Sequence, residues 1–285
     1  PSWLGVAEVQ VLAGVYGLRR ADESLARAKQ SLETAEELLG ETAETKYVAG
    51  AIALAEYRLE DAERLLGRAL ELKPDYLEAA GWLGMAAAFL GRFGEVAAHL
   101  EHACETDPLA PYPYAMFGFC RLLNGEPEAG ETLADQALAF DDRHTLGLWV
   151  RGNVLGALGR FDEAVASLER AVAASQRGGM VHGMLGWAYA AAGRADAARE
   201  VLDELAARPE GAPTVVPEVW LRAQLRDLEG AWTVLDRAVE EGQFLVMATT
   251  MHGFDPLRDD PRFEVLRESL GLPIVSSQPP GNEGV

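Results

Sequence analysis

Apolar and small residues along this chain recur with a period of 34. Gly50, Gly84, Gly118, Gly152 and Gly186 form one series at that spacing. Gly91, Gly125, Gly159 and Gly193 form a second, and Ala69, Ala103, Ala137 and Ala171 a third. Three interleaved series at one period mark a repeat architecture, which sets the fold before any local reading does. In each unit an apolar stretch runs up to the second-series glycine and an Ala-rich stretch follows it, so the pattern predicts two helices per unit. Gly84 and its equivalents fall mid-helix, where glycine costs roughly 1 kcal/mol relative to Ala, so a neighbouring helix is expected to approach closely there. Gly91 and its equivalents sit where a C′ glycine ends the first helix of a pair. Ala103 and its equivalents fill a tight contact inside the second helix, and Pro74 and Pro108 stop it, since proline cannot continue the backbone bonding.

Units begin near Ser2, Ala43, Leu77, Pro111, Thr145, Gly179 and Val215. The first is stretched by Gly17–Asp22 between its helices. The last is degenerate, with Arg226 and Asp227 where the inter-helix glycine should fall. Terminal repeats are atypical because only one side packs on a neighbour. The clearest units, Leu77–Pro108 and Thr145–Ser175, resemble the tetratricopeptide repeat: an aromatic or apolar pair, Leu-Gly or its equivalent, a glycine turn, then an Ala-rich second helix. The resemblance implies an all-α, right-handed α-solenoid of about seven helix pairs with a short C-terminal capping helix.

The ending, Glu240–Pro273, resembles the end cap of a bacterial group of such arrays. Phe254-Asp255-Pro256-Leu257, Asp260-Pro261-Arg262-Phe263 and Gly271-Leu272 carry the likeness, and Leu185–Leu205 fits the same group. Its members often place the array behind a Ser/Thr kinase, winged-helix, cyclase or β-propeller module, and none of these is present in this sequence. Asp260 is a good N-cap and Pro261 a good first helical residue, so Arg262–Leu270 is expected to be a helix. Phe263 and Leu266 would cover the last pair with it. The solenoid is thus expected over 1–272, with the cap at 254–271 and a disordered Pro/Gly/Ser-rich tail at 273–285. The abrupt start inside a helix reads as a segment of a longer protein.

In tetratricopeptide arrays the first helix of each pair lines a concave face, the usual binding surface. Projecting the period onto that face selects Tyr47, Met85, Phe89, Tyr112, Phe119, Leu122, Trp149, Asn153, Met180 and Trp187. This set is aromatic and methionine-rich with almost no charge. It suits an extended apolar peptide, an amphipathic helix or a small apolar molecule. Packing against neighbouring repeats is the alternative for each residue taken singly. The carboxylate clamp of one repeat subclass needs Lys, Arg and Asn at these places, and only Asn153 is of the right type.

Catalytic and metal chemistry find little support. Glu95, His99 and His102 lie at helical spacing but do not form His-Glu-x-x-His, and read as a solvated polar face. His144 and His182 read as turn or packing residues. Arg121 and Arg151 stand where first helices normally hold apolar or small residues, and pairing with Glu or Asp is favoured over contact with a ligand anion. There is no phosphate loop and no nucleophile elbow. The expectation is a non-catalytic scaffold with no cofactor and no metal, binding a protein or peptide. An apolar small-molecule sensor is the alternative, and an unusual enzyme in the groove, using Asn153, Arg121 and Arg151, a more distant one. A formal charge of -20 sets the chain against nucleic acid and anionic lipid. Cys104 and Cys120 are not a disulfide framework, and no apolar run reaches the ~18 residues of a membrane span. The default expectation for location is cytoplasmic.

Overall fold

The computed structural model describes residues 2–15, 19–175, 179–207 and 215–273. Among these residues there are α-helices, short 3-10 turns and no strand. The helices come in consecutive pairs: α1 Trp3–Val15 with α2 Ala21–Leu39, α3 Ala43–Ala55 with α4 Leu59–Leu72, and α5 Leu77–Phe89 with α6 Phe93–Thr106. Next come α7 Pro111–Leu123 with α8 Pro127–Phe140, and α9 Thr145–Ala157 with α10 Phe161–Ala174. Then α11 Gly179–Ala191 pairs with α12 Ala195–Ala206, and α13 Val215–Gln224 with α14 Leu228–Glu240. Two 3-10 turns, Phe244–Met247 and His252–Leu257, lead to α15 Pro261–Ser269. The tail expected from residue 273 lies outside the described residues apart from Pro273, as do residues 17 and 18 of the first loop.

The two helices of a pair play different parts. Even-numbered helices are amphipathic: α4 buries only Leu59, Ala62, Leu66, Ala69 and Leu70. Odd-numbered helices are apolar around much of their circumference, and in α5 every residue from Ala79 to Phe89 is buried. A helix apolar all round must be covered on every side. Within a pair the even helix covers one side. Successive odd helices such as α5, α7 and α9 also pack directly on one another, which the even helices do not do to a comparable degree. This asymmetry curves the array, with the odd helices on its inner face.

Close approach within each pair depends on the mid-helix glycines. A Cβ at Gly152 would lie 2.5 Å from Leu168 Cγ, and one at Gly84 would lie 2.7 Å from Leu100 Cδ1 and 2.9 Å from Cys120 Sγ. No real Cβ tolerates such contacts. The small-residue series of the second helices, Ala69, Ala103, Ala137 and Ala171, is buried throughout.

The turns between paired helices also repeat. Gly91, Gly125, Gly159 and Gly193 have φ of 71°, 80°, 73° and 77°. Tyr57 and Arg226 occupy the corresponding turns with φ of 61° and 68°, although neither is a glycine. A non-glycine residue in that region carries strain of order 1–2 kcal/mol. At Tyr57 the strain has a visible counterpart, described below. Caps are local: His144 Nδ1 accepts from the Gly147 amide at 3.3 Å, and Asp260 accepts from the Arg262 amide at 2.9 Å.

Two substitutions separate packing from helix propensity. Gly152→Ala should destabilise the chain by about 1–3 kcal/mol through overpacking on Leu168, although Ala is the better helix former. Gly67→Ala, in α4 with nothing within 4 Å of its Cβ, should stabilise by about 0.5–1 kcal/mol. Urea unfolding of the two variants beside the parent chain checks both signs.

Candidate functional site

The inner face formed by the odd helices is not open. After α14, Gly242 turns the chain with φ of 66°, and residues 243–257 run back across that face as a strap. The strap touches elements far apart in the sequence. Tyr57 Oη donates to the Gln243 carbonyl at 3.0 Å, so the strained tyrosine of the second pair anchors the start of the strap. The Phe244 ring lies 6.2 Å from Trp82 and 6.1 Å from Phe89, both of α5. Thr250 Oγ1 donates to the Leu123 carbonyl at the end of α7, at 3.1 Å. The His252 ring lies 4.3 Å from that of Trp187 of α11, tilted by 54°. Phe254 meets Trp220 of α13 edge-on at 5.5 Å.

Glycine makes the seating possible. A Cβ at Gly156 of α9 would lie 2.6 Å from the Trp187 ring and 3.0 Å from His252 Nε2. A Cβ at Gly253 would collide with the Trp220 ring. Arg258 then holds the strap from behind, donating to the carbonyls of Thr250 and Met251 at 3.0 and 3.2 Å. The buried guanidinium of Arg267, on α15, donates to Thr249 Oγ1 and to the Pro273 carbonyl. Phe263 and Leu266 of α15 are buried.

Eight of the ten residues projected onto the concave face are buried, and Tyr112 and Met180 are half-buried. The apolar stripe is therefore a covered one. Phe89 lies under Phe244 and Trp187 under His252. Tyr47 packs on Tyr76 and Trp82 and donates to Glu8 Oε1 at 3.3 Å, so it belongs to packing between repeats. Asn153 is wholly buried, with Nδ2 donating to the Trp149 carbonyl at 2.8 Å. Leu122 is buried beside the carbonyl that Thr250 engages.

Met85, Tyr112, Phe119, Trp149 and Met180 converge on one pocket of about 70 Å³. Val15 of α1 and Phe244 of the strap also line it, with Trp82, Met116 and Leu146. Those last three precede Met85, Phe119 and Trp149 by one helical turn, a signal present in the sequence. Trp149 Nε1, Asn153 Oδ1, Trp187 Nε1 and Trp220 Nε1 on the helices, and His252 Nε2 on the strap itself, are buried without a hydrogen-bond partner.

The charged and reactive residues fall elsewhere. Arg121 pairs with Glu126 at 2.5 Å and lies 4.9 Å from the Phe117 ring, while Arg151 pairs with Asp135 at 2.7 Å. His182 is buried within 3.5 Å of Glu204. Cys104 and Cys120 are free and buried, and burial pushes the Cys104 thiol up to about 11. Among the described residues no group of three or more His, Cys, Asp or Glu is placed to hold a metal, and no helix is long and apolar enough to cross a membrane.

With this geometry in place, the sequence profile described as tetratricopeptide repeat matches residues 77–102 and 150–213. The chain carries tetratricopeptide repeats over these residues. Solved structures of similar fold include TTC0263, a thermophilic tetratricopeptide protein of Thermus thermophilus. It is 22% identical over 65% of this chain and 100% of that one, with a TM-score of 0.56. PilW, a type IV pilus biogenesis factor, is 21% identical over 74% and 98% of the two chains, with a TM-score of 0.52. The human IFIT1 dimer with m7Gppp-AAAA is 15% identical over 87% and 67%, with a TM-score of 0.63. At these identities the likeness is one of fold. No curated protein matches the chain.

His252 makes the strap sensitive to acid. Its imidazole ordinarily titrates at 6.5 and is pushed down to about 4, first by burial and then by the Arg258 guanidinium. Trp187 and Gly156 pack against the ring from the other side and bring no charge. The unfolded chain therefore takes up the proton before the folded one does. The stabilisation is complete above pH 6.5 and should be lost by about 3 kcal/mol as pH falls to 4. His252→Leu should flatten that part of the slope, read as the difference between the two urea-unfolding profiles across pH 4–7.

Proposed function

We propose that the chain is a non-catalytic scaffold that binds a protein or peptide partner on the concave face, with the partner segment taking the place of residues 243–257. Tetratricopeptide repeats present that face in a form suited to extended segments. The observation that carries the reading is the strap itself, because a largely apolar segment, Phe244–Leu257, folded as two 3-10 turns and their link, already lies across the odd helices. The strap is also an imperfect occupant. It leaves the indole N–H of Trp149 and Trp187 and the Asn153 carbonyl oxygen without partners, and a buried unpaired polar group costs about 1–3 kcal/mol. A partner backbone that reaches those atoms gains what the strap forgoes. The formal charge of -20 disfavours nucleic acid and favours neutral or basic partners.

A peptide array probed with the full chain tests this. Phe244→Ala should loosen the strap and raise capture severalfold, while Trp187→Ala should lower it. Far-ultraviolet circular dichroism of both variants excludes unfolding as the cause. Capture indifferent to both substitutions would place the partner on another surface and sink the reading.

A further inference from the structure

Large apolar side chains stand exposed along one edge of the array, where each even helix ends. Leu38 and Leu39 lie at the end of α2, Leu72 at the end of α4, Leu109 in the turn after α6 and Phe140 at the end of α8. They are between 41% and 73% exposed, and they make up five of the nine large exposed apolar side chains among the described residues. Leu38, Leu72 and Phe140 share one position of the 34-residue period. Thr106 takes that position in the third pair, and Leu109 stands three residues beyond it. One exposed apolar residue is ordinary, whereas a ridge of them marks an interaction site. Side chains tie the ridge together across repeats. Arg68 of α4 donates to Glu41, in the loop after α2, at 2.7 Å and to Glu71, beside Leu72, at 2.8 Å. Tyr114 Oη donates to the Pro108 carbonyl at 3.3 Å, and its ring lies 5.5 Å from Phe140, which links the turn of Leu109 to the end of α8.

Carboxylates accompany the ridge. Glu37 precedes Leu38, Asp75 follows Leu72 by three residues, Asp107 precedes Leu109 by two, and Asp141 follows Phe140. All four are exposed, and none forms an ion pair with another described residue. Bases nearby are mostly engaged: Arg68 holds Glu41 and Glu71, Lys73 holds Glu44, and Arg170 holds Asp142. Arg143 is the exception.

We infer that this edge is a docking surface for a basic amphipathic helix of a partner protein. The apolar stripe of that helix covers Leu38, Leu72, Leu109 and Phe140, and its Lys or Arg residues meet the four carboxylates. Successive pairs step by roughly 10 Å, so four of them span about 30 Å, the length of a helix of about 20 residues. An extended segment would need a strand to join, and there is none among the described residues. A second copy of the chain would set the same carboxylates against these, and the formal charge of -20 repels anionic lipid. None of the ridge residues is on an odd helix, so the inference does not rest on the reading of the concave face.

Fluorescence anisotropy tests it, with the full chain titrated into a labelled helical peptide of Leu and Lys, about 20 residues long, whose Leu residues share one face. Two controls keep the pattern, one with Glu for Lys and one with Ala for Leu. The Leu/Lys helix should bind saturably, and each control should bind at least roughly tenfold more weakly. The double variant Leu72→Gln, Leu109→Gln changes only exposed side chains, and far-ultraviolet circular dichroism checks its fold. It should weaken binding of the Leu/Lys helix by roughly tenfold, while Trp187→Ala should leave that binding unchanged. No saturable binding of the Leu/Lys helix overturns the inference, as does equal binding of the Glu control or binding undiminished in the double variant. Loss on Trp187→Ala alone would move the peptide to the concave face and overturn it too. A dimer by light scattering that the double variant abolishes would show that the ridge joins two copies, and would likewise overturn it. Helix binding beside an indifferent peptide array, or the reverse, separates this inference from the scaffold reading.

Discussion

The close approach of paired helices at one glycine per repeat governs the architecture. With no side chain at Gly152 or Gly84, Leu168 and Leu100 can sit against the backbone of the facing helix. Each pair then becomes a thin unit whose first helix is free to pack on the first helix of the next. Repeated down the chain, this brings α5, α7 and α9 side by side while their partners fan out behind them. Curvature follows from that geometry, and with it an inner face lined by apolar side chains of the odd helices. The same closeness that builds the array therefore creates a surface that cannot be left in water.

The strap is the answer to that exposure. Its rings and backbone hydrogen bonds reach α5, α7, α11 and α13 as well as Tyr57 in the second pair. It closes the face with side chains that meet most of the apolar surface and few of the polar atoms. Burial of the aromatic residues supplies the stability, at about 25 cal/mol for each square ångström of apolar area removed from water.

Much of this was legible from the 34-residue spacing, because each repeated position has several chances to reveal its role. The mid-helix and turn glycines belong to that class, while the α15 cap was legible from the local N-cap rule at Asp260 and Pro261. The strap was not. Residues 243–257 occur once, carry no period, and read as a local end cap over the last pair. Their long-range contacts depend on where the array curves, and curvature accumulates over all repeats and has no local signature. The clue that could have exposed the path was Tyr57, a bulky residue at a position where four later turns have glycine. Its phenol explains the exception, since it reaches the Gln243 carbonyl.

That single hydrogen bond joins residues 186 positions apart. Open solenoids behave as one-dimensional chains in which each unit feels only its neighbours, so their ends can melt while the middle holds. A tie from the second pair to the segment after the seventh changes the connectivity from a line to a loop. Fraying at either end must then break contacts with the other. The array is expected to lose its independent ends and unfold as one cooperative body, at the cost of slower folding set by contacts of high sequence separation.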